Sequence, residues 1–127
     1  MAVVIAQDKA QAVHNFWNSF NVPAWDENTP QSDYKPMHIT YSVSTAEIGS
    51  AVVLTASVWD YSTSWADITH KVDQIGAAVG YGGMKIPYTG GQLWVKRGTP
   101  FAQRMADPDY MIRRIIINIE AEFLSED

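Results

Sequence analysis

Residues 64–80 read Ser64-Trp65-Ala66-Asp67-Ile68-Thr69-His70-Lys71-Val72-Asp73-Gln74-Ile75-Gly76-Ala77-Ala78-Val79-Gly80, and residues 113–123 read Arg113-Arg114-Ile115-Ile116-Ile117-Asn118-Ile119-Glu120-Ala121-Glu122-Phe123. In the first, Trp65, Ile68, Val72, Ile75 and Val79 recur every three or four positions, which predicts one apolar stripe on an α-helix. Ser64 and Asp67 have the spacing of a capping box, and Gly80 marks the stop. In the second, Ile115, Ile117, Ile119, Ala121 and Phe123 alternate with other residues, which predicts a long strand with one core face. Ile116 lies on the opposite face of that strand. It fits either a partly covered back face or packing against a neighbouring subunit.

Working outward, Val13, Phe16, Trp17 and Phe20 fall at i, i+3, i+4 and i+7 and predict a first helix, ended before Val22-Pro23. Residues 21–36 are rich in turn and breaker residues and read as a loop holding Trp25 and Tyr34. Ile39, Tyr41 and Val43 form one alternating run, and Val52, Leu54, Ala56 and Val58 a second. Glu47-Ile48-Gly49-Ser50 is the expected turn between them. Met84-Lys85-Ile86 and Gln92-Leu93-Trp94-Val95 flank a turn at Tyr88-Thr89-Gly90-Gly91. Residues 97–110, with Gly98, Pro100 and Pro108, read as a second long loop. The predicted order is α-β-β-α-β-β-β. It implies a single domain over residues 1–127 of α+β class, with one mixed, mainly antiparallel β-sheet and two helices packed on one face.

Composition narrows the function. The chain has 127 residues and a net charge of −5, which disfavours broad binding to nucleic acid or to an anionic membrane. It has no cysteine, so disulfides and thiolate chemistry are excluded. No stretch approaches the apolar length of a membrane span, and the start has no signal-peptide pattern, so a soluble cytoplasmic product is expected. The five Trp, six Tyr and four Phe serve a core or an interface equally well.

A search for chemistry finds little. His14, His38 and His70 lie in different elements without metal-ligand spacing, and read as surface or edge histidines. Ser62, Thr63 and Ser64 fit N-capping, and no nucleophile elbow or phosphate-binding glycine loop is present. Glu120 and Glu122 share one strand face, which fits a solvated surface better than a general acid–base pair. The expectation is therefore a non-enzyme with no cofactor and no metal. Of the nine basic residues, Lys96, Arg97, Arg104, Arg113 and Arg114 cluster in one segment. That asymmetry fits either contact between molecules or local ion pairs within the subunit.

Several segments resemble the tail-completion, or tail-terminator, proteins of siphophages and their prophages, which are often labelled minor capsid or head–tail joining proteins. They are Ala56–Gly80, Pro36-Met37-His38-Ile39-Thr40-Tyr41, Gly91-Gln92-Leu93-Trp94-Val95, Gly98–Met105, and Asp107-Pro108-Asp109 leading into Ile112-Arg113-Arg114-Ile115. The resemblance implies a virion protein, assembled in the bacterial cytoplasm. It would form a ring homo-oligomer, typically a hexamer, that caps the major tail tube protein and joins it to the head connector. DNA would pass through the lumen without specific binding. Two alternatives are a head-completion (stopper) protein of the same neck and a small ligand-binding α+β domain. A ring needs two unlike, complementary patches per subunit. Trp25, Tyr34, Arg97, Phe101, Arg104, Tyr110 and Arg113 are the candidate interface residues, since aromatics and arginines carry much interface energy.

Overall fold

A computed structural model of the chain describes residues 8–28, 35–44 and 51–125. The elements are α1 (Lys9–Asn18), β1 (Ala24–Asp26), β2 (His38–Tyr41), β3 (Ala51–Tyr61), α2 (Ala66–Val79), β4 (Met84–Tyr88), β5 (Gly91–Met105) and β6 (Ile112–Ser125). The strands form one six-stranded sheet in the order β1-β2-β3-β6-β5-β4. The β1–β2 pair is parallel and the other pairs are antiparallel. The fold is α+β, as expected.

Registry explains why both helices share one face. Leu54, Ala56 and Val58 of β3 lie opposite Ile119, Ile117 and Ile115 of β6. Leu93 and Val95 of β5 lie opposite Phe123 and Ala121. All ten are buried, and they join one cluster with Val13, Phe16 and Trp17 of α1 and Ile68, Val72, Ile75 and Val79 of α2. Each helix lays its single apolar stripe on the same side of the sheet.

The first helix is capped more completely than its apolar stripe alone would show. Asp8 accepts from the Gln11 backbone N–H at 2.8 Å, and the Gln11 side chain accepts from the Asp8 N–H at 3.1 Å. This reciprocal pair satisfies two donors that helix geometry leaves free. The expected cap of α2 is different. Trp65 holds the cap position and makes no side-chain cap bond; Ser64 Oγ instead accepts from the Ala66 N–H at 3.1 Å, and Ser62 Oγ from the Ser64 N–H at 3.0 Å. The hydroxyls are spent on turns two residues ahead, so no box with Asp67 forms.

Two predicted loops contain strands. Within 21–36, β1 pairs Ala24, Trp25 and Asp26 with Ile39, Thr40 and Tyr41. A three-residue strand is too short for alternation to register. Residues 97–105 are not loop either, since β5 runs through to Met105. The breakers Gly98 and Pro100 fall in an irregularity between Arg97, opposite Ile119, and Ala102, opposite Ile117. The ladder passes over them and resumes. At Gly98 a Cβ would stand 2.7 Å from the Asn118 carbonyl oxygen, so glycine allows β5 and β6 to stay close. Strand β2 stops at Tyr41, short of Val43, although the Ser42 N–H still reaches the Thr55 carbonyl at 2.9 Å. The turn expected at residues 47–50 lies outside the described residues.

Candidate functional site

The irregularity in β5 decides where the basic side chains go. Before it, odd-numbered residues face the helices; after it, even-numbered ones do, because five β5 steps match two on β6. Arg97 and Arg104 therefore both come to the helix side, and Phe101, inside the irregularity, turns there as well. Arg97 donates from Nε and Nη2 to the Gly76 carbonyl, at 3.0 and 2.6 Å. A cation at the C-terminal end of α2 suits its dipole, and Arg97 shares the Gly76 carbonyl with the capping Gly80 N–H, which reaches it at 3.0 Å. Phe101 covers Gly76, its Cε2 lying 3.1 Å from where a Cβ would stand. With Val72, Asp73 and Ala77 these residues line a shallow groove beside α2.

At the other end of α2, two guanidinium groups lie against the ring of Trp65. Arg104 Cζ is 4.7 Å and Arg113 Cζ 5.1 Å from its ring centroid. Arg113 also donates to the Thr63 carbonyl at 2.8 Å, while its Nε is buried without a partner. Across the ladder from Arg113, the Asp60 carboxyl is held above the usual range, chiefly by burial and then by the charge of Asp67. Arg97, Phe101, Arg104 and Arg113 thus brace α2 within the subunit, although Arg97 and Arg104 remain exposed.

Trp25 lies on the opposite face of the sheet and is part of a ladder that sequence reasoning did not assemble. Its ring stacks on His38 at 4.8 Å and 8°, and His38 stacks on Trp59 at 6.2 Å and 11°. Arg114 Cζ closes the row 4.6 Å from the Trp59 centroid. Each member comes from a different strand, β1, β2, β3 and β6 in order. Hydrogen bonds set the planes: Trp59 Nε1 donates to Thr40 Oγ1 at 2.9 Å, and Arg114 Nε to Ser57 Oγ at 3.0 Å. His38 Nδ1 lies 2.8 Å from the Pro36 carbonyl, which can only accept, so Nδ1 carries a proton. Burial pushes the His38 pKa down, against the smaller opposing pull of that bond. The parity of His38, Trp59 and Arg114 was readable one strand at a time; their meeting depends on registry.

Tyr110 stands bare in the β5–β6 turn at 74% exposure, and Tyr81, just past α2, is fully exposed. Tyr34 lies outside the described residues. His14 is paired with the Tyr41 hydroxyl at 2.7 Å. Burial, and secondarily the Asp26 charge, raises the Tyr41 pKa. Glu120 lies opposite Lys96, and Glu122 opposite Trp94, on the face away from the helices. Among the described residues no three His, Cys, Asp or Glu side chains gather as a metal site would require, and no helix is long and apolar enough to cross a membrane. The chain matches no protein-family model and no curated protein sequence.

Proposed function

We propose that this protein is a ring-forming joint of a phage or prophage tail, of the tail-terminator type. It would cap the tail tube on one side and receive the head connector on the other. The observation that carries the reading is the placement of the two barest aromatic residues among the described ones. Tyr81 follows the C-terminus of α2. Tyr110 lies at the other end, where the Met111 carbonyl accepts from the Ser62 N–H just ahead of α2. Helix α2 has 14 residues. At 1.5 Å rise each, that separates the two ends by about 21 Å. A subunit with an exposed tyrosine at either end can touch one partner above and another below, as a joint must.

The sheet and the braces on α2 keep those two ends at a fixed spacing. The net charge of −5 suits a lumen that DNA must slide through without sticking. The test uses the purified chain and assembled tail tubes from the same phage genome. Light scattering and electron microscopy should show a closed ring, and the ring should sediment with tubes at one end only. Tyr110→Ser and Tyr81→Ser should each keep the thermal melt, while one of them abolishes tube binding. A chain that stays monomeric and ignores the tubes would count against the reading.

A further inference from the structure

The two edges of the sheet differ in charge. On one side, β4 covers only Gly91–Val95 of the 15-residue β5. The segment from Lys96 to Met105 has, among the described residues, a strand partner on the β6 side alone. It contains Lys96, Arg97 and Arg104 and no acidic residue. On the other side, among the described residues, the sheet ends in β1, followed directly by Glu27, and the segment 24–27 carries Asp26 and Glu27 and no basic residue. Unpaired strand edges are templates for pairing with another chain, and proteins usually blunt them. Here both edges are stiffened. Arg97, Phe101 and Arg104 tie β5 down to α2. The ladder from Trp25 through His38 and Trp59 to Arg114 ties the three-residue β1 to the sheet centre. A rigid edge loses little entropy when a partner strand docks on it.

We infer that the basic edge of β5, residues 96–105, docks on the acidic β1 edge, Asp26-Glu27, of a second copy of this chain. Pairing β5 with β5 of another copy would set like charges together, which disfavours a two-fold dimer. Joining unlike edges is head-to-tail, and repeats until it closes. This rests on the assembly reading above and names the surfaces by which the ring would form.

The cysteine-free chain makes a direct test possible. Glu27 and Gln103 are both exposed, one on each edge. In the double variant Glu27→Cys with Gln103→Cys, mild oxidation should give a ladder of covalent oligomers ending at a closed species. Either single variant should stay uncrosslinked. Asp26→Arg with Glu27→Arg should weaken association by about tenfold, with a preserved melt. Backbone amides of residues 102–105 should gain hydrogen-exchange protection on association. Disulfide dimers from Gln103→Cys alone would show like-edge pairing and overturn the inference. Oligomers of the wild-type chain with no crosslink in the double variant would overturn it too, while leaving the assembly reading intact. A wild-type chain that never associates would remove both.

Discussion

Trp59→Ala tests whether the aromatic ladder holds the edge of the sheet. Trp59 has three connections: the stack on His38 at 6.2 Å, the Arg114 guanidinium at 4.6 Å, and the hydrogen bond to Thr40 at 2.9 Å. The stack, near the long end of the favourable range, is worth about 0.5 kcal/mol. The cation contact at a half-exposed site adds about 0.5–1 kcal/mol. The hydrogen bond adds roughly 1 kcal/mol, with Thr40 left able to reach water. Half-burial of an indole removes about 100 Å² from water, or about 2.5 kcal/mol. These overlap, so a loss of about 3–4 kcal/mol is expected, within the range for Trp→Ala. Trp59→Phe keeps a ring and loses the donor, so it should cost about 1 kcal/mol. Urea melts measure both. Hydrogen exchange at Trp25 and Glu27, whose N–H groups face β2, should quicken in Trp59→Ala by more than the global loss accounts for. A Trp59→Ala variant within about 1 kcal/mol of wild type, with unchanged exchange in β1, would refute the ladder's structural role.

Three further outcomes follow from the same geometry. His38 has a folded pKa below its ordinary 6.5, so as pH falls the unfolded chain takes the proton first. The stability owed to neutral His38 is complete above that value and is lost as pH falls through it toward the folded pKa. Between about pH 7.5 and about pH 5 wild type should therefore lose more stability than His38→Gln, and parallel curves would contradict this. Gly91→Ala should destabilise by about 3 kcal/mol or more, because the new Cβ would collide with the backbone carbonyl of Leu124 on β6; a near-neutral melt would show that the β5–β6 rung opens freely. Arg104→Glu with Arg113→Glu should cost about 2–3 kcal/mol of fold stability, since both guanidinium groups lie on Trp65 and Arg113 serves the Thr63 carbonyl; an unchanged melt would mean that these charges serve contacts outside the subunit.

The fold was legible where one rule acted over many residues. The 3.6 period of Ile68, Val72, Ile75 and Val79, and the 2.0 period from Ile115 to Phe123, each repeat often enough to outvote local exceptions. Reading failed where a local signal was strong and the deciding contact was distant. Gly98 and Pro100 say loop by every short-range rule, yet β6 supplies a ladder that resumes on their far side. That one irregularity also reverses which β5 residues face the helices. Arg104 could not be placed without it, and of the two readings left open for the basic cluster, contact between molecules or pairing within the subunit, part of the cluster serves as a brace on α2.

The same limit explains β1. Nothing in Ala24-Trp25-Asp26 alternates long enough to predict a strand, and three residues pair too few groups to stabilise one. What holds it is perpendicular to the chain: Ala24 is buried beside Ile39, and Trp25 is the outer member of the stack running inward through His38 and Trp59. The stabilisation comes from His38 and Trp59, on strands whose stacking residues lie 13 and 34 positions downstream of Trp25. A strand this short gains little from its own hydrogen bonds, which leaves a use for its outer edge as one reason to keep it. If that use is to receive the basic edge of a neighbour, removing the ladder should impair association even at temperatures where the Trp59→Ala subunit is still fully folded. Association that survives intact in that variant would mean β1 is held for the benefit of its own core, and that the neighbour docks elsewhere.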